Sequence, residues 1–87
     1  MADDHFEAVA IETEQPGRLI NITNTRQVAE RLTSAWPAAH KGAAYMRAVK
    51  ACMDNFSGKK NSQAVRQAFI EAAQEANIFV REGPRLG

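Results

Sequence analysis

Apolar and polar positions alternate with a period of two near the start of the chain and with the period of a helix through its middle. From about Glu7 to Thr13, Val9, Ile11 and Thr13 fall on one side of an extended chain, and Ala8, Ala10 and Glu12 on the other. "EQPGR" follows. Its Pro16-Gly17 pair is a turn signal, because proline fixes φ and glycine accepts a positive one. Leu19-Ile20-Asn21-Ile22 then resumes extended character, so the two runs predict a β-hairpin with a loop of about four residues.

Three helices follow. Asn24 is placed to cap the first, with Gln27 where a capping box wants Glu or Gln. Val28, Ala29, Leu32, Ala35 and Trp36 mark one face, and Pro37 ends the helix by pushing its predecessor out of the α region. The second begins near Gly42 or Ala43 and runs to about Phe56. Its stripe of Tyr45, Ala48, Val49, Cys52, Met53 and Phe56 predicts the core side, with Arg47, Lys50 and Asp54 facing water. Gly58 suits the left-handed residue that closes a helix. Asn61 or Ser62 can cap the third, which carries Val65, Ala68, Phe69, Ala72, Ala73 and Ala76, widened by Ile70. Asn77 is a left-handed stop, and Ile78-Phe79-Val80 predicts a short third strand.

The order β-β-α-α-α-β makes a sheet too small to be covered on both faces. It predicts an α+β fold with the helices on one face. Residues 1–87 read as a single domain, with tails at 1–6 and 82–87. Composition sharpens this: of 39 hydrophobic residues, 16 are alanine. A short chain with so few bulky side chains is marginal alone, and a homodimer is a common remedy. Alanine-lined helix faces also allow close packing. With one cysteine, no basic and apolar leader and no long apolar run, the expected home is cytoplasmic, with no membrane contact.

Net charge is +1, but residues 1–14 carry −5 and the rest of the chain +6. Arg26, Arg31, Arg47, Lys50, Lys59, Lys60 and Arg66 can gather on one side of the helical layer, where phosphates would meet them. Ordinary scatter of solvated charge accounts for the same numbers. An aromatic RNA-binding strand, a GxxG loop and a helix-turn-helix pair are all missing, and the aromatics lie on apolar stripes.

Chemistry is thinly represented. His5, His40 and Cys52 have no ligand spacing, so no metal or cofactor is expected. Cys52 continues an apolar stripe and reads as buried. Glu71 and Glu75 lie four apart outside the apolar stripe of the third helix and read as solvated. No catalytic constellation is visible, and an enzyme is not expected. "WPAAHKGAAYMRA" is a corner between helices, with Trp36 continuing the stripe of Val28 and Leu32. Its Ala39–Ala43 stretch, carrying His40, Lys41 and Gly42, precedes a helix N-terminus, where amides attract anions. A small anion and a plain solvated connector both fit there. His40, Lys41, Gly42, Arg47, Lys50 and Arg66 are therefore the candidate anion or partner contacts.

The order of "NTRQVAERL", "WP", Gly42 and Tyr45, Ala48 and Cys52, Gly58 and "VRQAFIEAAQEANIFV" resembles domain of unknown function 982, a family of small rhizobial-type bacterial proteins. The resemblance covers about residues 9 to 80. It implies a short stand-alone protein and transfers no catalytic or cofactor residue. The expected role is a non-enzymatic protein-interaction or regulatory module, homodimeric. The alternative is a nucleic-acid-binding accessory protein using the basic residues of the helical layer.

Overall fold

The computed structural model describes residues 5–13, 15, 17–78 and 80–82. Strand β1 spans His5–Glu12 and β2 Leu19–Asn24. Helix α1 spans Thr25–Ser34, a 3-10 turn covers Ala38–His40, α2 spans Ala43–Phe56 and α3 Ser62–Glu75. Strand β3 is Val80–Glu82. This is the expected β-β-α-α-α-β order, an α+β fold. The sheet runs β2-β1-β3, antiparallel throughout, so the last strand pairs within the chain. Of the residues expected in flexible tails at 1–6 and 82–87, His5, Phe6 and Glu82 lie in strands. Residues 1–4 and 83–87 fall outside the described residues.

The hairpin closes as its turn residues dictate. Arg18 N–H donates to Gln15 O at 3.1 Å, and Gly17 has φ +80°, a left-handed value that glycine takes without a Cβ penalty. Pro16 lies outside the described residues. Val9 and Ile11 pair with Ile22 and Ile20, and the two β1 residues are fully buried.

β2 runs directly into α1. Asn24 Oδ1 accepts from Gln27 N–H at 2.9 Å, and Gln27 Oε1 accepts from Thr23 N–H at 2.7 Å, one residue before the usual capping-box target. Asn61 caps α3 in the same way, accepting from Ala64 N–H at 3.0 Å. Both following helix ends are Schellman motifs. For α2, Gly58 has φ +79°, its N–H donates to Asn55 O, and Lys59 N–H donates to Asp54 O at 2.7 Å. For α3, Asn77 takes φ +59° and Ile78 N–H donates to Ala73 O at 2.8 Å.

That second motif corrects the expected third strand. Ile78 is used to close α3, so pairing starts at Val80 and continues to Glu82 rather than covering Ile78–Val80. Phe79 lies outside the described residues.

Helices α1 and α3 contact the sheet, while α2 packs chiefly on α3 and next on α1. The bulky core is Val9, Ile11, Val28, Leu32, Val65 and Phe69, all at 1% exposure or less. The buried residues of α2 include Ala44, Ala48 and Ala51, and α3 with its C-cap buries Ala72, Ala73 and Ala76. Among the described residues, no helix is long and apolar enough to cross a membrane.

Candidate functional site

Two parts of α2 carry the functional question: the corner before it and the face it shares with α1. At the corner, Trp36 is buried at 6% exposure, with ring centroids 5.8 Å from Phe69 and 6.3 Å from Tyr45. Its indole N–H has no hydrogen-bond partner among the described residues. Tyr45 Oη donates to Leu32 O at 3.0 Å, tying α2 back to α1. Lys41 Nζ lies 5.5 Å from the Tyr45 ring centroid, a cation–π distance.

The amides opening α2 already have an anion. Glu75, from the last turn of α3, accepts from Ala44 N–H at 3.2 Å through Oε2 and from Tyr45 N–H at 3.4 Å through Oε1. A carboxylate at a helix N-terminus satisfies free donors and complements the dipole. Gly42 leaves it room, because a Cβ there would come within 2.9 Å of the Glu75 carboxyl group. His40, Lys41 and Gly42 themselves are exposed. Glu75 is exposed, as its spacing predicts, yet its carboxylate also acts across 31 residues of chain. Its position in the last helical turn gave no sign of this.

The basic candidates separate. Arg66 is 4% exposed: its Nε donates to Glu7 O at 3.0 Å, and its Nη2 lies 3.5 Å from Glu82 Oε1. Glu7 lies in the stretch where the β1–β2 register shifts, and the guanidinium takes its carbonyl. Arg66 thus links α3 to β1 and β3 and does not join a surface patch. Arg47 and Lys50 are exposed. With Lys60 they rim a groove of about 460 Å³ between α2 and α3, floored by Ala51, Ala64 and Ala68. Lys50 pairs with Asp54 at 3.2 Å, and Gln67 Nε2 donates to Glu71 at 3.2 Å in the same region.

The second part corrects the predicted core stripe of α2. Met53 and Phe56 were expected inside, yet they are 62% and 58% exposed, and Met46 is 61% exposed. The buried side of α2 is Ala44, Ala48, Ala51, Cys52 and Asn55, which keeps Ala48 and Cys52 of the predicted stripe. Asn55 belongs there because its Nδ2 donates to Lys60 O at 2.9 Å and ties down the loop after α2. With the alanines turned toward α3, the larger apolar residues are rotated outward past α1. They line an apolar groove of about 140 Å³ formed by Ala29, Leu32, Thr33, Val49, Cys52, Met53 and Phe56.

Cys52 at that groove is 3% exposed, and burial pushes its thiol from 9.0 up to about 11. A protonated buried thiol is a poor nucleophile. Among the described residues, no group of three or more His, Cys, Asp or Glu side chains is placed to hold a metal ion. The groove between α1 and α2 offers almost wholly apolar surface.

A family profile described as "Protein of unknown function (DUF982)" matches residues 7–80. No curated protein and no solved structure matches the chain.

Proposed function

Because the chain belongs to the DUF982 family, whose description carries no activity, we propose its function from its surface: a small, cytoplasmic, non-enzymatic interaction or regulatory module that forms a homodimer through the face shared by α1 and α2. The observation that carries this reading is the exposure of Met53 and Phe56 beside the apolar groove. Apolar surface removed from water contributes about 25 cal/mol per Å². A chain that buries so many alanines gains from covering such a face.

Light scattering on a dilution series tests this. The homodimer reading expects twice the 9.6 kDa chain mass at high concentration, falling toward one chain mass on dilution. A mass of 9.6 kDa at every concentration sinks it.

The α2–α3 groove supports a second reading, a nucleic-acid contact through Arg47, Lys50 and Lys60. That reading loses Arg66 to the interior and carries Glu71 in the same groove. It expects binding that weakens steeply with salt. Retention unchanged by replacing Arg47 and Lys60 with Ala counts against it.

A further inference from the structure

Met46, Val49, Met53 and Phe56 are spaced three, four and three residues apart, the repeat of a coiled-coil seam. Three of the four are more than half exposed, and Val49 is half-buried at the mouth of the groove. The groove lies beside α2 from Val49 onward, where Val49, Met53 and Phe56 line it with Ala29 and Leu32 of α1. Met46, a turn earlier, lies outside that groove.

Resting on the homodimer reading, we propose that two copies pair their α2 helices antiparallel about a two-fold axis at the level of residue 51. The 3-4-3 spacing reads the same from either end. An antiparallel neighbour therefore sets Met46 against the partner's Phe56, and Val49 against the partner's Met53. Each Met46 is thereby carried to the other copy's groove, which its own chain does not offer it. The contact is isologous, so it closes at two copies and leaves no repeating edge. Opposed helix dipoles favour the same direction. Each Lys50 near the axis brings its own counterion, Asp54 at 3.2 Å, so the two copies meet as neutral pairs. A parallel pairing stacks Met46 on Met46 and leaves both of them away from the grooves. α2 has 14 residues, about 21 Å of helix. The interface belongs to the small class, below about 1,200 Å² in total, that dissociates readily.

Spin labels on the single variants Lys50→Cys and Ala43→Cys test the direction. Both positions are exposed, and the native Cys52 is 3% exposed with a raised thiol pKa, so it stays unlabelled. Distances between the two labels are measured at a concentration where scattering gives the dimer mass. The antiparallel pairing places the Lys50 labels about 3 Å apart along the axis and the Ala43 labels about 24 Å apart. The expected result is a Lys50 distance below about 25 Å and an Ala43 distance longer by more than about 10 Å. Equal distances mean a parallel pairing, and a long Lys50 distance in a dimer means another face. Either result overturns the proposed pairing while leaving the homodimer in place. A single-chain mass overturns both.

Discussion

The corner before α2 and the face α2 shares with α1 belong to one helix and are finished in opposite ways. At the corner the ring of Trp36 is enclosed and the free amides of Ala44 and Tyr45 are taken by Glu75. On the face, Met53 and Phe56 stand more than half in water beside an apolar groove. The corner caps its amides from within the chain, whereas the face leaves large apolar side chains in water. A surface rich in His, Lys and Gly is thus a joint, while a stripe of Met and Phe is the open surface.

The largest effect that tests this contrast belongs to the joint. Trp36→Ala should lower stability by roughly 3–5 kcal/mol, the usual cost of removing a buried aromatic, read by urea unfolding. A loss under about 1 kcal/mol would show that the corner is not part of the core.

Next comes the internal anion. Glu75→Ala should cost about 1 kcal/mol, as loss of a helix cap does. Gly42→Ala should cost a similar amount, because its Cβ meets the Glu75 carboxyl group at 2.9 Å. In the Glu75→Ala background the same Gly42→Ala change should be nearly neutral, since neighbours in contact are not additive. Equal cost in both backgrounds would break the link between the glycine and the carboxylate.

Cys52 sharpens the comparison from the face's floor. Its folded pKa, about 11, lies above the unfolded value of 9.0, so the unfolded chain releases its proton first as pH rises. Any stability tied to this thiol is present below pH 9 and declines between about pH 9 and 11. A Cys52→Ala variant should show a shallower alkaline decline than the native chain in thermal melts. Identical slopes would mean that the thiol is not desolvated.

The smallest expected effect on stability, and the largest on association, comes from the face. Met53→Ser with Phe56→Ser should leave the dissociated chain within about 0.5 kcal/mol of native, as exposed substitutions do. The same pair should abolish the concentration dependence of the mass. Substantial unfolding of the diluted variant would place those side chains in the core after all.

Most of the fold was legible because its punctuation is local. Gly17, Asn24, Gly58, Asn61 and Asn77 each act within a few residues, and each does what its side chain or missing Cβ dictates. What lay beyond reach depends on which neighbour a helix meets. The apolar stripe of α2 spans more than one face, and only its packing, chiefly on α3, decides that Ala44, Ala48 and Ala51 are buried while Met53 and Phe56 turn outward. The contacts that Arg66 and Glu75 make were out of reach for the same reason. Their partners, Glu7 and Ala44, are 59 and 31 residues away, and no spacing announces a contact of that range. Asn55 carried a weak signal, a polar residue three positions before the helix-closing glycine.

The most direct test of the homodimer face is solvent access at the Met46 and Met53 methyl groups, read by NMR with a soluble paramagnetic relaxation agent at high and low protein concentration. A second copy on that face should protect both methyls when the protein is concentrated and release them together on dilution. Methyls equally accessible at both concentrations, in a sample whose mass is that of a dimer, would contradict the account and move the interface elsewhere.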